Sequence, residues 1–272
     1  TVEGRLHGAE IGLSFPSVGA TENVMIAASC AQGETVITNA AREPEICDLA
    51  DFLNQCGAKI KGAGESTVVI QGVESLSGCE HSIIPDRIAA ATFMAAAAIT
   101  GGDIVISNVE PSHLGTVIPL FEEAGCTVRI LNRKLEISAP ERLNPIKSVR
   151  TMPYPGFPTD AQAPVMAMTA LADGTSVFVE NIFESRYKHA GELMRLGADI
   201  KVEGRVAIVQ GVRRLSGASV EAPDLRGGAA LVIAALMADG TTVINTPEFI
   251  DRGYENFEAN LAQLGADIIR YR

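Results

Sequence analysis

A chain of 272 residues with a formal net charge of −11 and a sequence pI near 4.9 lacks the basic excess needed to displace counterions from nucleic acid or an anionic membrane. Aromatic residues make up 5% and Trp is absent, so stacking on bases is excluded, and the core has to be filled by Ala, Val, Ile, Leu and Met. Although 47% of the residues are hydrophobic, the longest apolar run, Ile88 to Ile99, is too short to span a bilayer.

The opening "TVEGRLHGAEIG" has no basic stretch followed by an apolar block, so neither a signal nor a transit peptide is expected and a cytoplasmic address follows. "PSVGATEN" (16–23) then leads into an apolar run, a turn at Gly33 in "AQGETVI" and a β-branched strand. "EPEICDLADFLNQCGAKI" sets apolar residues at three and four spacing among charges, which predicts a helix with one wet face ending near Gly57. "AKIKGAGESTVVIQG" closes this stretch as a hairpin. After the polar segment "LSGCEHSIIPDR", where Pro85 marks the expected hinge, the series repeats. "PDR" (85–87) precedes "AAATFMAAAAI", with glycines at Gly102 and Gly125. "PTDAQ" (158–162) precedes the third apolar run, with Gly174 and Gly197 and the hairpin "ADIKVEGRVAIVQG". "PDLR" (223–226) precedes "GGAALVIAALMA", with Gly240 and Gly265.

Four copies of one unit of about 70 residues are therefore present, each read as β, α, β, α, β, β. The first helix of each is apolar on every side, which predicts burial all round. The unit is too long for ankyrin, tetratricopeptide or leucine-rich repeats, and its strands exclude a helical solenoid. The expected fold is α/β (α+β): an inside-out barrel of repeated βαβαββ units, with helices inside and sheets outside. Two domains are expected, 1–81 with one unit (about 12 to 78) and 82–272 with three. One unit cannot enclose a core, so the beginning of the first domain is expected to be missing. Five scattered cysteines (Cys30, Cys47, Cys56, Cys79, Cys126) without a CxxC pair argue against a disulfide framework or a zinc site and are read as reduced, mostly buried thiols.

The polar signals before the apolar helices share one position. Helix starts expose unpaired N–H groups and a partial positive charge, so they call for capping side chains and can bind anions. On pattern alone Asp160 reads first as a cap worth about 1 kcal/mol, and a catalytic role can coexist with it. Arg87, Arg186, Arg226 and Arg252, all at helix entries, read singly as surface charges or capping ion pairs, although their recurrence is less casual. His113 and His189 are placed in amphipathic helices as half-exposed bystanders, and Cys30 as a packed thiol. "SVGATEN" has one Gly and no GxxxxGK pattern, so it is no P-loop, though its backbone can donate to a ligand.

Taken together, "PSVGATEN", "NAAREPEI", "PYPGFPTDAQAP" and "IDRGYENFE" closely resemble the UDP-N-acetylglucosamine enolpyruvyl transferases over essentially the whole chain. The enolpyruvylshikimate phosphate synthases share the inside-out barrel but not these strings. The resemblance implies transfer of the enolpyruvyl group of phosphoenolpyruvate to the sugar 3′-hydroxyl, in peptidoglycan precursor synthesis, with no metal or organic cofactor. It implies that Asp160 contacts the sugar hydroxyl as its base. Phe15, Pro16, Ser17, Val18 and Gly19 would hold the uridine nucleotide, with Ile182 and Phe183 as a further contact. Arg226 and Arg252 would meet phosphoenolpyruvate, and Arg186 would stand in the same site. The family's Lys-Asn pair and cysteine-bearing loop precede the region where this chain begins, and none of the five cysteines can take that loop's role. Four of the family's six repeat units are thus expected, nearly inert alone, with a non-catalytic nucleotide-sugar-binding module or a shikimate-pathway relative as the alternatives.

Overall fold

The structure, a computed structural model, describes residues 4–271. The chain packs as two units, one reaching Ile84 and including Pro153–Pro155, the other Pro85–Met152 and Gly156 onward.

The first unit holds β1 (Glu10–Gly12), α1 (Val18–Ser29), β2 (Glu34–Thr38), α2 (Pro44–Gln55), β3 (Lys59–Lys61) and β4 (Thr67–Gln71). The strands form one sheet in the order β1-β2-β4-β3, with β1 parallel to β2 and the other pairs antiparallel. Period-two alternation in β2 and β4 turns Ile37, Val68 and Ile70 inward, where Ile46, Ala50 and Leu53 of α2 meet them. α1 departs from the expected burial all round. Only Thr21, Met25, Ala28 and Ser29 are buried, and Ile26 is 55% exposed. The physical reason is a lack of companions: no second helix of this apolar kind is present among the unit's described residues to cover the remaining face.

The second unit supplies such companions. It runs α3 (Arg87–Thr100), β5 (Asp103–Ser107), a 3-10 turn (Pro111–Leu114), α4 (Ile118–Glu123), β6 (Thr127–Leu131), β7 (Lys134–Ser138), β8 (Val149–Arg150) and α5 (Thr159–Thr169, containing Pro164). It continues with β9 (Thr175–Val179), α6 (Lys188–Arg195), β10 (Asp199–Glu203), β11 (Val206–Gln210), β12 (Leu215–Ser216) and β13 (Ser219–Glu221). α7 (Leu225–Ala235), β14 (Ala238–Asp239), β15 (Val243–Asn245), α8 (Glu248–Asp251) and α9 (Phe257–Gln263) complete it. α3, α5 and α7 pack against one another in the centre, with Met94, Val165, Met166, Leu231 and Ile233 wholly buried. Around them lie the sheets β5-β7-β6 and β8-β9-β11-β10 and the parallel pairs β12-β14 and β13-β15. Helices inside and sheets outside is the expected arrangement, here built from separate sheets.

The repeat recurs at atomic level. In the first unit Gly72 N–H donates to the Gly33 carbonyl at 3.0 Å and Val73 N–H to that of Ser29 at 2.9 Å. In the second, Gly211 N–H donates to the Gly174 carbonyl at 2.9 Å and Val212 N–H to that of Ala170 at 2.8 Å. The strand order β1-β2-β4-β3 recurs as β8-β9-β11-β10.

Several expectations are corrected. No strand precedes α3, and residues 265–270 carry none either, so only the first and third copies have the full βαβαββ order. The left-handed turn after α3 belongs to Gly101, the C-cap at φ 64°, rather than Gly102. Of the thiols, Cys56 and Cys126 are buried, Cys30 and Cys47 half-buried and Cys79 exposed; all five are free.

A Cβ at Gly211 would stand 1.8 Å from the carbonyl oxygen of Ala172, whereas at Gly191, inside α6, it would meet nothing within 4 Å. The two alanine substitutions therefore act with opposite sign. In urea denaturation Gly211→Ala should lower stability by at least about 2 kcal/mol, and Gly191→Ala should raise it by roughly 0.5–1 kcal/mol.

Candidate active site

Three helix starts are capped as their sequence signals suggest. Ser17 Oγ accepts from Ala20 N–H at 3.3 Å, ahead of α1. Asp86 accepts from the N–H groups of Ile88 and Ala89 at 2.7 and 3.0 Å, ahead of α3. Asp224 accepts from those of Arg226 and Gly227 at 3.0 and 2.8 Å, ahead of α7. α5 is the exception and overturns the cap reading of Asp160. In "PDR" and "PDLR" the Asp directly follows Pro, but in "PTD" one residue intervenes. Pro158 therefore occupies the cap position with no side-chain bond, and Asp160 lies in the first turn with its carboxylate free to turn elsewhere.

That carboxylate meets two guanidinium groups. Arg186 Nη2 donates to Oδ1 at 2.7 Å, and Nε and Nη2 of Arg226 both reach Oδ2 at 3.2 Å. The Asp160 side chain keeps 38% exposure, so a ligand can still reach it. Arg226 is buried at 8% exposure, which rules out a casual surface charge. Its guanidinium carbon lies 5.3 Å from the centre of the Tyr254 ring, whose hydroxyl shares a 2.9 Å hydrogen bond with Thr92 of α3. The starts of α5 and α7 and the second turn of α3 are thereby joined. Nη1 of Arg226 is buried with no hydrogen-bond partner.

Arg186 packs over Phe183 at 4.9 Å from the ring centre, and the segment carrying both is tied down by Glu180. Glu180, 1% exposed, accepts from five donors: the Thr151 and Thr159 hydroxyls, the Gln162 amide and the backbone N–H groups of Ile182 and Phe183, at 2.7 to 2.9 Å. Ile182 is thus held through its main chain, while Phe183 is 47% exposed.

The other expected residues fall elsewhere. Arg252 is exposed at the C-cap of α8, outside the Asp160 cluster, although its neighbour Gly253 abuts Arg226. Arg87 is buried in the first turn of α3. In the first unit, Phe15 is 42% exposed, Pro16, Ser17 and Val18 are half-buried, and Gly19 is exposed in the first turn of α1. His113 is half-buried in a 3-10 turn rather than an amphipathic helix. His189 is no half-exposed bystander. At 1% exposure it is enclosed, Nε2 has no partner, and burial pushes its pKa down to about 4. Tyr254, two residues after Arg252 in "IDRGYEN", carries no signal of its own, and Glu180 is invisible to pattern because its five donors lie on three separate stretches. Among the described residues no group of His, Cys, Asp and Glu is arranged to hold a metal ion, and no helix is long and apolar enough to cross a membrane.

The family model of EPSP synthase (3-phosphoshikimate 1-carboxyvinyltransferase) matches residues 1–261. The chain is 54% identical over 270 residues to UDP-N-acetylglucosamine 1-carboxyvinyltransferase 1 of Symbiobacterium thermophilum, covering 99% of this chain and 61% of that protein. It is 52% identical over 266 residues to UDP-N-acetylglucosamine 1-carboxyvinyltransferase 2 of Caldanaerobacter subterraneus subsp. tengcongensis, covering 98% and 64%. The enolpyruvyl transferase NikO from Streptomyces tendae superposes with a TM-score of 0.87 at 26% identity, covering 97% of this chain and 65% of its own. EPSP synthase from Acinetobacter baumannii shares the fold, with a TM-score of 0.72 at 23% identity and 98% and 64% coverage. The chain therefore spans less than two thirds of the length of each of these relatives.

Replacing Glu180 by Gln turns an acceptor towards one of its donors into a donor. Glu180→Gln should cost roughly 3 kcal/mol, with faster hydrogen exchange at the Ile182 and Phe183 amides as the local readout. For His189, an unfolded ring takes up its proton near pH 6.5 and the folded ring only near 4, so between those values protons favour the unfolded chain. The stability contributed is whole above about pH 6.5 and falls by up to roughly 3 kcal/mol as the pH drops towards 4. A pH series of denaturation curves should show this fall, and His189→Phe should flatten it.

Proposed function

Because the chain belongs to the EPSP synthase family, we propose that it is the greater part of an enzyme that transfers the enolpyruvyl group of phosphoenolpyruvate to the 3′-hydroxyl of UDP-N-acetylglucosamine. The choice of acceptor rests on the 52–54% identity to proteins named for that sugar nucleotide, against 22–23% to EPSP synthases. The setting is cytoplasmic peptidoglycan precursor synthesis.

The observation that carries the reading is the carboxylate of Asp160 held between Arg186 and Arg226, with one buried Arg226 donor left unfilled. A hydroxyl that attacks the enol carbon has to lose a proton while the neighbouring methylene gains one, so a positioned base and a separate acid are needed. Asp160 is the base. Its two oxygens are fixed from behind by guanidinium groups and open to a ligand in front. Guanidinium forks suit the phosphate and carboxylate of the donor. Arg186 completes the anion site, and Arg252, exposed next to Gly253, is the further arginine proposed to meet the donor. In the first unit, taken by itself, the loop from Phe15 to Gly19 is the proposed nucleotide contact; in the second, taken by itself, the Ile182–Phe183 segment is.

Asp160→Asn, made in the full-length protein, should lower turnover at least about a hundredfold, measured as phosphate release with UDP-N-acetylglucosamine and phosphoenolpyruvate. Turnover within a few-fold of the parent would remove Asp160 as the base. Faster turnover with shikimate 3-phosphate than with the sugar nucleotide would overturn the choice of acceptor.

A further inference from the structure

Two thiols that the proposed reaction does not use lie in contact. Sγ of Cys56, at the C-cap of α2, is 3.4 Å from Sγ of Cys79, which sits in the stretch joining β4 to α3. Cys56 is 7% exposed and Cys79 is open to solvent. The backbone between them is already fastened: the N–H and hydroxyl of Ser77 both donate to the Cys56 carbonyl, at 2.8 and 3.2 Å. On the far side His81 bridges Gln55 and Asp48 of α2, at 3.0 Å each, and meets the Phe52 ring edge-on. The segment from Ser77 to His81 is therefore pinned at both ends, with the two sulfurs between the pins. Closing 3.4 Å to a disulfide bond of about 2.05 Å moves the two sulfurs together by less than about 1.5 Å.

We propose that Cys56 and Cys79 are a redox site, closing to an intramolecular disulfide that staples the connecting stretch to the end of α2. The oxidant is a low-molecular-weight disulfide such as oxidised glutathione. The exposed Cys79 thiolate attacks it, releasing one equivalent of small thiol and leaving a mixed disulfide on Cys79. Cys56 then loses its proton to solvent and attacks the Cys79 sulfur, and the second small thiol leaves. Two protein thiols are oxidised and one small disulfide is reduced to two thiols. The order of attack follows from access, since Cys79 is open to solvent and Cys56 is buried, so Cys56 resolves rather than initiates; the hydrogen bond with Cys79, and after it burial, also hold the Cys56 thiol above the usual range. Hydrogen-bond pairing of the thiols accounts for a contact as close as 3.4 Å in the reduced protein.

The test treats the folded chain with oxidised glutathione, quenches with a thiol alkylating reagent and reads intact mass and peptides. The expected product loses two hydrogens, carries three alkyl groups rather than five, and yields one cross-linked peptide pair containing Cys56 and Cys79. Cys79→Ser, at an exposed position that leaves the fold intact, should abolish the cross-link, and Cys56→Ala should stop the reaction at a stable glutathione adduct on Cys79. Cys30→Ser should leave the cross-link unchanged. Alkylation of all five thiols after oxidant, or a lasting glutathione adduct on Cys79 in the unaltered chain, would overturn the proposal.

Discussion

The mutual packing of α3, α5 and α7 is the constraint on which the second unit depends. A helix whose every side is apolar cannot rest on a sheet alone, because one face would stay wet. Three such helices solve the problem by covering one another and leaving their outer flanks to the sheets. Small side chains help: α3 is rich in alanine, and α7 carries Gly227 and Gly228 in its first turn, on the side that meets α8 and the segment before α7. A Cβ at Gly228 would come within 2.7 Å of Ile250, and one at Gly227 within 2.7 Å of Pro223. The packing of α5 on α7 brings their starts together and puts Arg226 within reach of Asp160. Arg226, buried and charged, then needs that partner, because a buried charge stripped of its counterion costs several kcal/mol. Packing and site are thus one arrangement.

The repeat was legible because each copy spends glycine and β-branched residues at the same offsets, and the observed strand orders and glycine bonds reproduce those offsets. The all-round apolar helices were legible for the same reason in three copies. α1 reads identically in sequence, yet its burial depends on neighbours that no local pattern encodes. The site was legible as a set of arginines and one acid near helix starts. What pattern could not weigh was the single extra residue in "PTD", which shifts Asp160 out of the cap and into an ion pair. The burial of His189, read locally as half-exposed, and the five bonds of Glu180 have no local signature either, since their surroundings are assembled from segments far apart in the chain.

The charge balance of the molecule and that of the site run in opposite directions. A chain at −11 repels anions on average, so an anionic substrate is captured only where cations are concentrated and water is thinned. Two guanidinium groups on one carboxylate leave a local surplus of positive charge, and the stacked rings of Tyr254 and Phe183 hold those groups in place without neutralising them. Rigidity here comes from apolar faces and from a buried, fully engaged Glu180 one turn of chain away.

Pro164, within α5, has a consequence for the residue that begins this helix. Proline brings no amide hydrogen, and the main-chain oxygen four positions back, which a regular helix would engage, is that of Asp160. The residue therefore carries two kinds of oxygen, an ionised pair on its side chain at the helix start and a neutral one on its backbone that points along the helix towards Pro164 without its regular partner. An alanine at position 164 would claim the second and leave the first untouched.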